Sequence, residues 1–271
     1  MALGKTAAVV IGSFPLGESD RVVTFFSRQY GKIRGVAKAA RRIRSRFGGA
    51  LELGTLGELV FFDTGRSDLV RVDHFDVLHP FERVRNDLDR LGQAAWIVEC
   101  VGRLTADRDP NAALYGLLLR ALKSVEAGTP PRRVAVVFGV RCIEALGHRL
   151  RTDACVGCGR RTATDHGPLE IDVEAGGLVC ADCGRGATDT VRVEPASVAA
   201  LRRLRTMAWD EATAGRLGRA EAELRDLLDL QVARLIGHPA RTTRFVREIE
   251  RFAPALSSPR GARIPTVGEP E

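Results

Sequence analysis

The sequence predicts a multidomain α+β protein, and three observations support this fold class. Short β-branched and apolar runs fill the first eighty residues, apolar residues at helical spacing dominate the remainder, and four cysteines in two tight pairs interrupt the helical part. With 271 residues and 45% hydrophobic content, the chain can bury a core and form two or more domains. The expected bounds are a barrel over 1–79, a helical domain over 80–151 and 189–253, a metal-binding insertion over 152–188 and a disordered tail over 254–271.

The N-terminal segment is predicted to contain five short strands. Their expected ranges are 6–14, 21–27, 32–38, 58–63 and 68–77. The last two are separated by a four-residue, glycine-containing loop of the length that joins hairpin strands, whereas a longer connection follows the third strand. This arrangement indicates a small, partly open antiparallel barrel of the OB type, and a Tudor-like or SH3-like barrel fits nearly as well.

The pattern becomes helical after His79-Pro80. Apolar residues recur at helical spacing over 88–104 and 114–125, and again over 133–146, where Gly147 follows as a typical helix end. Beyond the cysteines, helical patterns return over 195–207 and 219–236. The last of these carries one apolar stripe that we interpret as core.

The cysteine pairs are the most specific chemical signal. Two C-x-x-C motifs, each followed by glycine, suit a tetrahedral zinc ion, and two short strand-like runs between them predict a hairpin that brings the pairs together. A site closed by four thiolates indicates a structural rather than a catalytic metal. An iron–sulfur cluster and a pair of redox disulfides are the alternatives. The predicted zinc ligands are Cys155, Cys158, Cys180 and Cys183.

The remaining cysteines and the apolar pattern bear on the compartment. Cys100 and Cys142 lie within apolar helical patterns and are predicted to be buried thiols. No stretch approaches the roughly 20 consecutive apolar residues that span a bilayer, and the N-terminus lacks a cleavage site of the signal-peptide type. We therefore expect a cytoplasmic protein without a membrane partner.

A basic segment, residues 32–46, carries seven cations and no acidic residue. The whole chain has 41 Lys and Arg against 34 Asp and Glu, a net charge of +7, so this segment accounts for the entire excess. Concentrated positive charge attracts a polyanion because several phosphates are neutralised at once and their counterions are released. The sequence therefore predicts nucleic acid as a partner, with a solvated basic loop as the alternative.

Candidate nucleic-acid contacts follow from the strand pattern. Lys32, Arg34 and Lys38 alternate along the third predicted strand, so one face of that strand would present cations, and the following arginines extend the surface into the loop. Such a groove follows a phosphate backbone without reading bases. The predicted contacts are Arg21, Lys32, Arg34, Lys38, Arg41, Arg42, Arg44 and Arg46, with Tyr30 and Phe47 as base-stacking candidates.

The sequence contains no recognisable catalytic constellation. His74 with Asp73 and Asp76, and nearby His79, could form a metal or acid/base site, but they alternate between strand faces and are better explained as surface residues. There is no phosphate-binding G-x-x-x-x-G-K-[ST] motif and no nucleophile beside a positioned base. The pattern favours a binding protein over an enzyme.

Three N-terminal strings resemble the signature of the bacterial RecO family of recombination mediators. They are PLGESDR at 15–21, YGKIRGVAK at 30–38, and Arg41-Arg42 followed by SRFG at 45–48. The resemblance extends over roughly residues 5–250 and includes the cysteine pairs of the family's zinc-containing branch. It implies an OB fold, a helical domain interrupted by a zinc-binding insertion, and no enzymatic turnover.

The resemblance also implies partners. Family members bind single- and double-stranded DNA, anneal complementary strands, and act with RecR to help RecA displace single-strand-binding protein at gaps, so a cytoplasmic, nucleoid-associated location is expected. The C-terminal tail of single-strand-binding protein docks on the helical domain. Candidate contacts for that tail are Arg120, Lys123, Arg132 and Arg133.

Two other functions remain open from the residues alone. An OB-plus-zinc module could bind structured RNA or the ribosome, because basic runs and four-cysteine ribbons are common there too. A zinc-dependent nuclease or hydrolase would need an open metal position, and four thiolates argue against it.

Overall fold

The structure is a computed structural model that describes residues 2–65, 67–161, 168–185 and 190–256. Five strands form the N-terminal domain, as predicted, although most are longer than the sequence pattern indicated. They are β1 Ala2–Leu16, β2 Asp20–Ser27, β3 Gly31–Ala37, β4 Leu56–Asp63 and β5 Leu69–His79.

The barrel is closed, with strand order β1-β2-β3-β5-β4. Closure is possible because β1 is fifteen residues long: Ala2–Val9 pairs with β4, Ala8–Leu16 pairs with β2, and an irregularity lies between Val10 and Gly12. The expectation of a partly open, antiparallel barrel is therefore corrected on two counts. The sheet closes, and β3 pairs with β5 in parallel over 34–36.

The connection between β3 and β4 closes one end of the barrel. Phe47 and Leu51 from this connection are 3% and 2% exposed and belong to the same apolar core as Phe25, Ile33 and Phe75. Phe25 and Phe75 pack with ring centroids 5.3 Å apart. The connection is thus fixed to the barrel by its own apolar side chains.

The helical domain begins directly after β5. The helices are α1 Glu82–Arg85, α2 Leu88–Leu104, α3 Ala112–Ala127, α4 Pro131–Ala145, α6 Pro195–Thr206, α7 Trp209–Ala214, α8 Arg219–Ile236 and α9 Arg241–Leu256, with the short helix α5 Ala181–Gly184 in the cysteine-containing insertion. The helices predicted from apolar spacing are present, whereas α7 and α9 were not predicted. Because α9 continues to Leu256, the helical part extends past the predicted start of the tail at 254, and residues 257–271 lie outside the described residues.

Sequence features explain the helix ends. The side chains of Asp87 and Asn111 accept hydrogen bonds from the backbone N–H groups of Arg90 and Leu114 and so cap α2 and α3. Helix α3 ends at Gly128, whose φ of 97° is a left-handed conformation that glycine adopts without steric cost.

A buried polar network joins α2, α8 and α9. Asp229 accepts hydrogen bonds from the Trp96 indole at 2.9 Å and the Thr243 hydroxyl at 3.1 Å, and its Oδ1 lies 3.3 Å from Arg225 Nε. Arg225 also stacks over the Trp96 ring at 4.2 Å. The pairing compensates the cost of burying both charges among apolar residues.

The insertion contains a small sheet of order β7-β6-β8, in which β6 is Leu169–Asp172, β7 is Gly177–Val179 and β8 is Thr190–Val193. The predicted hairpin corresponds to β6 and β7, and β8 was not predicted. Within the described ranges, no helix is both long and apolar enough to cross a membrane.

Candidate nucleic-acid interface and metal centre

The exposed part of the basic segment is a loop on the barrel, residues 38–46, which we call the basic loop. Turns, without a helix or strand, carry it from the end of β3 toward β4. Five of its cations are exposed: Lys38, Arg41, Arg42, Arg44 and Arg46. This is the arrangement that a phosphate-binding surface requires, because each charge can reach solvent.

Hydrogen bonds attach the start of the basic loop to the β1–β2 turn. The Asp20 carboxylate accepts from the Ala39 N–H at 2.8 Å, and this bond, with one from Ser19, lowers the pKa of Asp20. Arg41 donates its backbone N–H to Ser19 O and its Nη1 to Gly17 O at 2.8 Å. Arg41 therefore helps to hold the loop in place.

Phe47 attaches the other end of the loop. Its ring lies in the barrel core, with Arg46 stacked over it at 5.0 Å from the ring centroid. The structure therefore corrects the expectation that Phe47 stacks on a nucleic-acid base, because this conformation leaves only 3% of the residue exposed.

The cations differ in their ionic partners. Within the described part of the chain, no carboxylate forms an ion pair with Lys38, Arg42 or Arg44, whereas Arg21 lies 3.5 Å from Glu52. The charges of Lys38 and Arg42 help to lower the pKa of Asp20, so this carboxylate compensates them in part without forming an ion pair with either. The basic loop is accordingly a surface of concentrated positive charge.

The side chain of Lys32 is bonded to the helical domain at the junction between the two domains. Its Nζ donates to Gly102 O at 3.0 Å and to Thr105 O at 2.6 Å, and it lies 3.2 Å from Asp107 Oδ1. Only 14% of the side chain is exposed. The predicted alternation along β3 is present, but this end of the cationic face is covered, so Lys32 is corrected to a domain-docking residue.

Arg34 has an intermediate position. Its Nε lies 3.2 Å from Asp107 Oδ2, yet 41% of the side chain remains exposed. The Asp107 carboxylate thus pairs with two cations of β3 at once. Arg34 can still approach a phosphate, with part of its charge compensated.

Tyr30 is 38% exposed at the β2–β3 turn, and its ring packs edge-on against Phe61 with centroids 5.3 Å apart. Tyr30 therefore retains partial access for stacking on a base.

His74 on β5 lies 3.0 Å from Asp73 and 3.6 Å from Asp76. All three side chains are at least one-third exposed, so they form an open surface cluster rather than an enclosed catalytic site.

The four paired cysteines converge in the insertion. The Sγ atoms of Cys155, Cys158, Cys180 and Cys183 all lie within 4.8 Å of one another, and the Cys158–Cys180 sulfur separation is 3.7 Å. A tetrahedral zinc site with Zn–S bonds of about 2.3 Å places its sulfurs about 3.8 Å apart. The group could therefore hold one metal ion.

Backbone N–H groups support this sulfur cluster. Hydrogen bonds from the N–H groups of Cys158 and Cys180 lower the pKa of the Cys155 thiol to about 6, which favours the thiolate form that binds a metal. Gly157 allows the close approach, because a Cβ at this position would lie 3.0 Å from Cys183 Sγ. The glycine between the first two cysteines thus leaves room for the sulfur of Cys183.

Comparisons with known proteins agree with this architecture. The family model for the N-terminal part of recombination protein O matches residues 1–81, and the model for its C-terminal part matches residues 85–244. The chain belongs to the RecO family. The DNA repair protein RecO of Anaeromyxobacter dehalogenans strain 2CP-1 is 35% identical over 254 residues, which cover 92% of this chain and 98% of the relative.

Other RecO proteins give similar values. The DNA repair protein RecO of Geobacter metallireducens is 34% identical over 91% of this chain and 98% of its own length, and that of Myxococcus xanthus is 31% identical over 89% and 96%. The resemblance inferred from the N-terminal strings is confirmed at the level of the family.

In this RecO-family chain, the candidate docking residues fall into two groups. Arg120 and Lys123 are exposed on α3. Arg132 and Arg133 lie in the first turn of α4 and line a cavity of about 420 Å³, where Arg133 pairs with Glu221. The prediction of these four residues as docking contacts remains a prediction.

Asp107 is a site residue that the sequence did not reveal in this RecO-family chain. It follows α2, about seventy residues after the cations that it meets. An acidic residue in a loop carries no periodic signal, so only the docking of the two domains identifies it.

Proposed function

We propose that this chain acts in DNA repair and recombination by binding single- and double-stranded DNA and annealing complementary strands, without enzymatic turnover. With its partner mediator RecR, it would promote RecA loading on gaps coated with single-strand-binding protein. Membership of the RecO family supports this proposal, and the exposed, unpaired cations of the basic loop are the observation that carries it.

The proposed DNA surface is smaller than the sequence suggested. Lys32 and Phe47 are excluded by their contacts, and Arg41 has a second role in holding the loop. The remaining contacts are Arg21, Tyr30, Arg34, Lys38, Arg41, Arg42, Arg44 and Arg46. Binding through these residues would be salt-dependent and tolerant of sequence, because phosphates supply most of the contacts.

Annealing by such a surface needs no active-site chemistry. Neutralising the phosphates of two strands reduces their mutual repulsion, and holding both strands on one basic surface raises their effective concentration. Complementary bases then pair by their own energetics. The protein would act wherever two strands must be brought together on the nucleoid.

The four-cysteine group would hold one structural zinc ion. Support comes from the sulfur separations and from the N–H groups directed at Cys155. Zinc would stabilise the insertion by fixing β6 and β7 relative to the two cysteine turns, and a site closed by four thiolates leaves no position for a substrate.

The helical domain would receive the acidic, apolar tail of single-strand-binding protein. Arg120, Lys123, Arg132 and Arg133 are the proposed contacts, and the arginine-lined cavity at the start of α4 offers charges for a carboxylate. Because Arg133 already pairs with Glu221, docking there would require the incoming carboxylate to share or replace that partner.

A salt titration tests the proposed function. The affinity for single-stranded DNA would be measured at several salt concentrations, and annealing followed in parallel, for the wild type and for a loop variant carrying Lys38→Ala, Arg42→Ala and Arg44→Ala. Removing three phosphate contacts should lower the slope of log affinity against log salt by about 2, with a parallel loss of annealing.

A control variant distinguishes an effect of charge in the basic loop from an effect of the protein's net charge. Arg83→Ala, Arg203→Ala and Arg219→Ala remove the same charge from exposed positions of the helical domain. This variant should keep the wild-type slope. Equal slopes for the wild type and the loop variant would move the DNA site away from the basic loop, and preference for RNA of equal length would favour the RNA-binding alternative.

A further inference from the structure

An isoleucine projects from the tip of the basic loop. Ile43 is fully exposed, with a relative accessibility of 105%, whereas the next most exposed large apolar residue in the described part of the chain, Leu3, reaches 65%. A branched apolar side chain loses favourable burial energy when it is left in water. A partner that covered Ile43 would gain this burial energy.

The loop holds Ile43 away from the barrel. On one side, Ala39 and Arg41 are bonded to the β1–β2 turn, and on the other, Phe47 is buried in the core. Between these attachments, consecutive turns are closed by Arg42 N–H to Ala39 O at 3.2 Å and Ser45 N–H to Arg42 O at 2.9 Å. The exposed position of Ile43 is thus a property of the anchored loop.

The charges beside Ile43 indicate the chemistry of the partner. Arg42 and Arg44 precede and follow it directly, and both are exposed. Among the described residues neither forms an ion pair, although the charge of Arg42 acts on the nearby Asp20 carboxylate. A partner that covers the apolar side chain must therefore present anions on both sides of an apolar surface. Nucleic acid does so, because stacked bases lie between phosphates that two arginines can reach.

We propose that Ile43 is a wedge that inserts between adjacent bases of bound DNA, while Arg42 and Arg44 contact the flanking phosphates. This inference rests on the proposed DNA binding and assigns one residue a role that charge alone does not supply. Apolar wedges partly unstack the step that they enter and so hold bases apart. An unstacked strand presents base edges for pairing with a complementary strand.

Fluorescence of 2-aminopurine tests the wedge, because this base brightens when it is unstacked. The probe would be placed in turn at successive positions of a single strand and of a duplex with a single-stranded overhang, and measured with saturating full-length protein. The wild type should raise the fluorescence at one or more positions. Ile43→Ala should remove at least half of that rise and weaken binding about threefold to tenfold, with an unchanged salt slope.

Two further variants control the result. Ile43→Leu should restore the fluorescence rise, because it keeps an apolar side chain of the same size. Leu3→Ala removes another exposed apolar side chain and should behave as the wild type. Leu3 lies about 20 Å along β1 from Val9, the residue that pairs with the start of β4. Equal losses in Ile43→Ala and Leu3→Ala would overturn the proposal.

The outcomes separate this inference from the proposed function. If the wild type binds DNA with a steep salt slope but the fluorescence rise is absent or unaffected by Ile43→Ala, the wedge is wrong and DNA binding stands. If the wild type does not bind DNA, both fail. Ile43-dependent binding to vesicles of anionic phospholipid, without a fluorescence rise on DNA, would assign the side chain to a lipid surface and overturn the wedge.

Discussion

The ammonium group of Lys32, on strand β3 of the barrel, lies 2.6 Å from the carbonyl oxygen of Thr105, directly after helix α2. The same group pairs with Asp107 and bonds Gly102 O. One lysine of the basic segment therefore joins the two domains, while its neighbours in the basic loop face solvent. Composition alone does not distinguish the lysine that joins the domains from the cations that face solvent.

Lys32→Met should destabilise the protein by about 2 kcal/mol, because it leaves the carbonyl groups of Gly102 and Thr105 without a charged donor and leaves Asp107 with Arg34 as its remaining cation. Urea unfolding measures this change. Lys38→Met is the matched control, since Lys38 is exposed in the basic loop directly after β3, and it should leave stability within about 0.5 kcal/mol of the wild type. Weaker DNA binding is expected for Lys38→Met; a larger binding defect in Lys32→Met at a temperature where both are folded would contradict the assignment.

Substitutions of Phe47 and Tyr30 should likewise differ in whether they affect stability or DNA binding. Phe47→Ala removes a buried ring from the barrel core and should cost about 3–5 kcal/mol of unfolding free energy. Tyr30→Ala should change stability less and lower the affinity for single-stranded DNA, where base stacking contributes about 1–3 kcal/mol. Denaturant unfolding and DNA binding on both variants give the comparison, and a stable Phe47→Ala variant with weakened DNA binding would restore Phe47 as a stacking residue.

Glu99 makes the attachment of α9 sensitive to pH. Its carboxylate accepts from the N–H groups of Arg241 and Thr242 at 3.0 and 2.8 Å, and from the Thr242 hydroxyl at 2.6 Å. Burial alone would raise its pKa, but the bonds from Thr242 and Arg241 outweigh this and hold the pKa below the usual value. A lowered folded-state pKa means that the stabilisation is present above the unfolded pKa and is lost as the pH falls through the folded one.

Glu99→Gln should therefore reduce stability by about 1–2 kcal/mol at neutral pH. The difference from the wild type should shrink as the pH falls from about 6 toward 3, because the wild-type carboxylate becomes protonated. Urea unfolding at a series of pH values measures it. Arg244→Gln, at an exposed ion pair on the same helix, serves as the control; a gap between wild type and Glu99→Gln that is independent of pH would contradict the role of the charge.

The four-cysteine group gives a prediction on the metal content of the protein. Purified wild-type protein should contain about one zinc ion per chain, and Cys158→Ser should lose it and become heat-labile. Cys100→Ala changes a buried cysteine outside the cluster and should retain the metal. Metal content by mass spectrometry and thermal unfolding, both with and without chelator, provide the readouts. A Cys158→Ser variant that keeps its metal, or that is as stable as the wild type without it, would remove the structural zinc assignment.

The local signals in this chain were readable from the sequence, and the long-range ones were not. Alternation along β3 and the two cysteine pairs depend on neighbouring residues, and the structure retains both. The fate of Phe47 depends on a connection that folds back over the barrel, and that of Lys32 depends on a loop from the other domain. Neither contact produces a periodic pattern in the sequence. The sequence therefore locates the basic segment, whereas the contacts that cover Lys32 and Phe47 appear only in the structure.

Strand β3 pairs with β5 over 34–36, and beyond that point its edge is completed by the loop after α2, where Arg108 N–H bonds Lys32 O at 2.8 Å. During synthesis on the ribosome, the barrel strands emerge before this loop exists. A nascent barrel would thus carry an open strand edge, and such edges promote association between chains. A fragment of residues 1–81 is accordingly expected to self-associate in size-exclusion chromatography at concentrations where the full chain does not. The two parts of this chain that the family models match would then fold as one unit.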